Sequence, residues 1–197
     1  FDPYAHLYTN PSGPGDQRPT ASKVVQDNGP IGGLGNKTVL MTGATAGIGI
    51  ETARALHATG ARVFITARNL EKAERVVEDI ATTNGGKGNL EVIEMDMESL
   101  NSVKKAAKEI LAKTKQLNIL VNNAGIMACP ESRSKDGFEL QFAVNHLAHF
   151  TLTSLLLPTL VASSTPEFQL RVVFVASSSH RYASVHWDNV NLEGEYE

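Results

Sequence analysis

Between Lys37 and Val175, short apolar runs alternate with longer segments whose apolar residues recur at helical spacing. Thr38–Met41, Arg62–Thr66, Leu90–Met95, Leu117–Val121 and Arg171–Val175 are rich in β-branched and large aliphatic side chains and predict five strands. Ile48–Thr59, Leu70–Thr83, the stretch from Ser99 to about Lys113 and a long stretch from about Gly137 to Leu157 predict helices. Asn69 and Ser99 supply N-caps, while Gly60 and Gly85-Gly86 supply stops. The strands are apolar throughout rather than alternating, so both faces of their sheet are expected to be covered. Regular alternation with right-handed crossovers predicts a three-layer, doubly wound α/β Rossmann fold with a parallel sheet, whose last strands are missing from the chain.

Residues 1–36 follow neither period. Pro3, Pro11, Pro14, Pro19 and Pro30, with six glycines, predict an arm or linker, packed on the domain of residues 37–197, on a second subunit, or without fixed structure. Net charge is −3 with 42% hydrophobic and 20% charged residues, so no basic field points to nucleic acid or an anionic membrane. A small molecule is the expected partner, and a homo-oligomer is compatible with the pattern. The single cysteine, Cys129, rules out an internal disulfide and fits a reducing, cytoplasmic compartment. Cys129 itself reads as a small apolar residue or as a reactive thiol. No run of ~18 apolar residues occurs, since Pro158 interrupts Leu152–Ala162.

The chemistry is concentrated where the first strand meets the first helix, at Thr42-Gly43-Ala44-Thr45-Ala46-Gly47-Ile48-Gly49. Gly43 permits a tight turn, Gly47 close approach of a pyrophosphate, and Gly49 close packing of helix on strand. The helix start adds free N–H groups and a partial positive charge. Thr45, Ala46 and Ile48 complete this dinucleotide-binding turn. About 20 residues on, an NAD site places a carboxylate for the ribose 2′-hydroxyl. Here the strand ends in Thr66-Ala67-Arg68-Asn69. The Arg68 guanidinium suits a 2′-phosphate, so the expected cofactor is NADP(H). Asn69 belongs to the same turn, and Lys72 is either a second positive ligand or a solvated surface base.

The spacing Thr-Gly-x-x-x-Gly-Ile-Gly resembles the short-chain dehydrogenase/reductase family. The resemblance extends over approximately residues 31–197, and Val144-Asn145-His146-Leu147-Ala148-His149-Phe150 is similar to the helix of retinol dehydrogenases and WW-domain oxidoreductases. It implies that Asp96 and Met97 contact the adenine, although Asp96 also reads as a helix cap. It implies that Asn123, Ala124 and Gly125 lie along the adenine ribose, where an ordinary turn is the plainer reading of Asn122-Asn123. Asn145 would be the catalytic asparagine that holds a relay water. Ser177, with Ser178 as its neighbour and competitor, would polarise the substrate oxygen. His146 and His149 lack a third ligand, and no metal is expected.

The family's tyrosine, followed four residues later by lysine, does not occur in residues 1–197: Tyr182 is followed at that offset by His186, and Tyr196 is penultimate. The tail Trp187–Leu192 resembles an insertion that would place the tyrosine shortly beyond Glu197. The resemblance implies hydride transfer between NADP(H) and an alcohol/carbonyl pair on a small lipophilic substrate. The alternative is a non-catalytic nucleotide-binding or scaffolding protein.

Overall fold

A computed structural model describes residues 3–29, 32–85 and 88–196. Its sheet is wholly parallel, with β1 (Thr38–Thr42), β2 (Arg62–Ala67), β3 (Leu90–Glu94), β4 (Ile119–Asn122) and β5 (Arg171–Phe174) in the spatial order β3-β2-β1-β4-β5. Strand order therefore reverses beside β1, which opens a crevice at the carboxyl ends of β1 and β4. The doubly wound α/β expectation is met.

The apolar strands serve both faces. Leu40, Phe64 and Leu120 pack with α4 (Leu100–Lys113) and α6 (Ala148–Ala162), chiefly on Ile110, Leu152 and Leu156. Their neighbours Val39, Met41, Val63, Ile65 and Val121 turn the other way, onto α2 (Ile48–Ala58) and α3 (Leu70–Thr83). Period two thus persists under a sequence that shows no alternation, because neither face meets water. The expected caps form: Asn69 Oδ1 accepts from Lys72 N–H at 2.8 Å and Ser99 Oγ from Ser102 N–H at 3.3 Å. The outer strand β5 is the exception to burial, with Val173 and Phe174, and Val175 just after it, about half exposed.

One element goes beyond the expected arm and one boundary needs correction. Residues 3–29 contain regular structure and pack on the domain, one of the alternatives left open. A 3-10 turn, Ala5–Tyr8, precedes α1 (Ala21–Asp27), which packs on α2. Thr20 caps α1 by accepting from Lys23 N–H at 3.2 Å, and Leu34 reaches the α2/α3 side of the core. Seven residues after a proline carry too little periodicity to be read as a helix. Second, the long helix does not begin at Gly137 or end at Leu157. Its first turn is α5 (Leu140–Phe142), then a π-helical turn runs Ala143–Leu147 and α6 continues to Ala162 with Pro158 inside it. The Glu139 carboxylate sets the start, accepting from Gln141 N–H at 2.8 Å and Phe142 N–H at 2.6 Å. Gly137, at φ +85°, belongs to the preceding turn.

Buried Asn118 pins the amino ends of β1 and β4 to the end of α6. Its Oδ1 accepts from Thr38 N–H at 3.0 Å and from Gln116 Nε2 at 2.9 Å, while its Nδ2 donates to the Ser163 carbonyl at 3.2 Å. Asn118→Ala leaves a buried donor and acceptor unpaired, so urea unfolding should show a loss of about 2–3 kcal/mol. A loss below about 0.5 kcal/mol would remove Asn118 from the framework.

Candidate active site

At the carboxyl ends of β1, β2, β3 and β4 lies a cleft of about 490 Å³. Its floor is the glycine turn: Gly43, Thr45, Ala46, Gly47, Ile48 and Gly49 all line it. Gly43 has φ +69°, and a Cβ there would stand 2.6 Å from the Ala124 Cα. A Cβ on Gly49 would stand 2.0 Å from the Gly43 carbonyl oxygen. Both positions therefore need glycine, one for conformation and contact, the other for contact alone. Gly47 caps α2 without a side chain, and Ile48 is 73% exposed, so the first-turn N–H groups of α2 face open space. The cradle fits a pyrophosphate.

Thr42 ties this turn to the rest of the site. Its Oγ1 accepts from Asn123 N–H at 3.0 Å and Ala124 N–H at 2.9 Å, and lies 2.8 Å from His149 Nε2. With both lone pairs taken, the hydroxyl proton must go to His149, so Nε2 is an acceptor and Nδ1 carries the ring proton. Nδ1–H then donates to the Asn145 carbonyl at 3.1 Å. His149 is 3% exposed, and burial pushes its pKa below the ordinary value, in agreement with the neutral ring. His146, three residues away, is exposed and stacks between Phe142 and Phe150. The two rings diverge, and among the described residues no group of three His, Cys, Asp or Glu side chains could hold a metal ion.

The Asn123 amide donates to the carbonyls of Thr42 and Gly43, both at 3.0 Å, and so holds the turn from across the sheet. Asn145 grips Ile126: its Oδ1 accepts from Ile126 N–H and its Nδ2 donates to the Ile126 carbonyl, each at 2.9 Å. Its amide is thereby committed, and its backbone carbonyl is the group turned toward His149. Asn123, Ala124 and Gly125 line the cleft, whereas Asn145 does not; its neighbour Val144 does.

At the other end of the cleft, Arg68, Asp96, Met97 and Glu98 line the wall. Asp96 is doubly held, by Glu98 N–H at 3.0 Å and Lys135 Nζ at 2.7 Å. Partial burial would raise its pKa, yet Lys135 and the Glu98 N–H hold the carboxyl below the usual carboxylate range. Arg68 Nη1 meets Glu98 Oε1 at 2.5 Å. Asn69 is occupied as the α3 cap, and neither it nor exposed Lys72 lines the cleft. Sequence reasoning missed Glu98 and Lys135. Lys135 reaches Asp96 from 39 residues along the chain, and no spacing rule joins them.

Ser177 follows β5 and caps a 3-10 turn, Ser178–Arg181, accepting from Ser179 N–H at 3.1 Å. It is exposed and outside the cleft lining, although Val175 of the same segment is within it. Tyr182 is 87% exposed. Tyr196 donates to the Cys129 carbonyl at 2.7 Å and accepts from Gln141 Nε2 at 2.9 Å. Its surroundings raise the phenol pKa, first through burial, the opposite of what a proton donor near neutrality needs.

The glycine turn at the switch point and the Thr42–Asn123 clamp beneath it lie together at the carboxyl ends of the strands, while Ser177 stays outside the cleft. Residues 37–189 match the family described as short chain dehydrogenase, and the chain belongs to that family of oxidoreductases. Within it the chain falls in the retinol dehydrogenase-like group. It is 52% identical over 194 residues to the short-chain dehydrogenase/reductase prx1 of Penicillium roqueforti, a match covering 98% of this chain and 56% of that protein. It is 44% identical over 162 residues to retinol dehydrogenase 11 of Homo sapiens, covering 82% and 49% respectively. Among solved structures, the RhlG/NADP active-site complex of Pseudomonas aeruginosa matches with a TM-score of 0.64 at 31% identity, over 84% of this chain and 64% of that one. The chain spans about half the length of the curated relatives it matches. No helix among the described residues is long and apolar enough to cross a membrane.

Because His149 folds with a lowered pKa, the unfolded chain binds its proton first as pH falls. Its contribution to stability is complete above the unfolded value of about 6.5 and is lost as pH drops from there toward the folded value. The thermal midpoint should therefore fall between about pH 7 and pH 5.5, and His149→Gln should flatten that slope. Equal slopes in the two proteins would show that His149 is not held neutral.

Proposed function

We propose that this chain provides the nucleotide-binding half of an NADP(H)-dependent reductase or dehydrogenase acting on an alcohol/carbonyl pair of a small lipophilic compound. The observation that carries the reading is the pairing of a glycine cradle at the start of α2 with a guanidinium, rather than a carboxylate, at the end of β2. Gly43, Thr45, Ala46, Gly47, Ile48 and Gly49 would hold the pyrophosphate, Asp96 and Met97 the adenine, and Asn123, Ala124 and Gly125 the ribose. Arg68 would hold the 2′-phosphate, with Asn69 and Lys72 at its margin. The cofactor supplies the hydride, and the protein supplies orientation and electrostatics.

Of the catalytic groups, Ser177 would donate to the substrate oxygen as charge develops on it. Reaching that oxygen requires the Ser177 hydroxyl to leave its present partner, Ser179 Oγ, at 3.0 Å. Asn145 would act through its backbone carbonyl, which accepts from His149 Nδ1–H at 3.1 Å and has a second lone pair to offer a water, since the amide is bound to Ile126. The match to retinol dehydrogenase 11 supports a lipophilic substrate. A cytoplasmic setting and a homo-oligomer fit the reading and are proposed with it.

Calorimetric titration of the chain should show NADPH binding at least about tenfold more tightly than NADH, with Arg68→Ala removing most of that difference. Equal affinities that Arg68→Ala leaves unchanged would overturn the NADP(H) assignment. In the gene-encoded protein, Ser177→Ala should lower kcat by about 10²–10³ with little change in nucleotide affinity. Tight nucleotide binding without turnover on any carbonyl or alcohol, in a protein that carries Tyr-x-x-x-Lys after Glu197, would favour a scaffolding role instead.

A further inference from the structure

The carboxylate that β2 lacks is brought to the same place from another strand. Glu98 follows β3 in the loop leading to α4, lines the cleft beside Arg68, and pairs with the Arg68 guanidinium at 2.5 Å. Its position is set by the backbone on both sides: its N–H donates to Asp96 Oδ1 at 3.0 Å, and its carbonyl accepts from Lys135 N–H at 2.9 Å. The Glu98 side chain is 30% exposed and that of Arg68 69%, so the carboxylate is the more enclosed member of the pair and the guanidinium the more solvated one. Lys135 and Asp96 complete a group of two cations and two anions at this end of the cleft.

We infer that Glu98 is a specificity-determining residue that restrains the preference for NADP(H). The inference rests on the proposal that Arg68 binds the 2′-phosphate. A phosphate dianion arriving at Arg68 must draw the guanidinium from Glu98 or share it, and in either case it brings like charge close to a held carboxylate. A neutral 2′-hydroxyl meets no such repulsion, and Glu98 can accept its hydrogen bond. One carboxylate therefore weakens the phosphorylated cofactor and supports the unphosphorylated one. Glu98→Gln keeps the shape and the acceptor oxygen toward Arg68 while removing the charge.

The test uses two probes that differ only by the 2′-phosphate, adenosine 2′,5′-bisphosphate and adenosine 5′-monophosphate, titrated by calorimetry against wild type, Glu98→Gln and Arg68→Ala. Thermal midpoints confirm that each variant folds, and Glu98→Asp serves as a second variant that retains the charge. Glu98→Gln should tighten the bisphosphate about tenfold, leave the monophosphate unchanged or weaker, and so raise the ratio of the two affinities. Glu98→Asp should stay near wild type. If Arg68→Ala weakens the bisphosphate while Glu98→Gln leaves the ratio where it was, the Glu98 inference fails and the Arg68 assignment stands. If Arg68→Ala has no effect on the bisphosphate, the 2′-phosphate reading fails first and takes this inference with it.

Discussion

The site depends on one hydroxyl group. Thr42 Oγ1, at the last residue of β1, accepts two backbone N–H groups from the end of β4 and donates to a buried imidazole on α6. Three segments that share no local sequence are thereby fixed to one atom in a water-poor interior, where a hydrogen bond is strong and an unmade one is costly. The glycine turn hangs from this point, because Gly43 follows directly and Asn123 grips its carbonyl. So does the helix bearing Asn145, whose carbonyl is the far end of the same chain of bonds. The glycine turn and the helix bearing Asn145 consequently cannot shift independently.

The opposite end of the cleft is organised by charge rather than by a buried network. Arg68, Asp96, Glu98 and Lys135 are at least partly open to solvent, so their pairing is weaker and responds to salt and to whatever anion arrives. The contrast suits the two tasks. On the proposed function, the glycine turn would have to keep its shape, while the Arg68 end would have to exchange an internal partner for an external one.

Most of the frame was legible because it follows from periodicity and punctuation. Apolar runs of four to six residues gave all five strands, the first stopping at Gly43 and the fourth at Asn122, and Asn69 and Ser99 cap the helices they were expected to cap. Boundaries slipped where a side chain far away in sequence decided them. The start of the long helix is set by Glu139, and Glu139 N–H is in turn held by Asn191 Oδ1 at 2.8 Å. The π-helical turn left no trace because Ala143–Leu147 is ordinary helical sequence. Helix α1 was hidden among prolines and glycines whose turns surround it. In the site, the residues on motifs were readable one by one, but the pairing of Arg68 with Glu98 depends on sheet order, since β2 and β3 are neighbours in space.

The Thr42 hub also dictates when the site can exist. Its three partners lie 81, 82 and 107 residues further along the chain. During synthesis β1 and its glycines emerge before β4, and the glycine turn has nothing to close against until β4 and then His149 have left the ribosome. Contacts of such long sequence separation are slow to form and leave apolar strands uncovered in the interval. The nascent chain thus carries the most recognisable motif of the sequence for about a hundred residues of translation before the bonds that hold that motif can all be made.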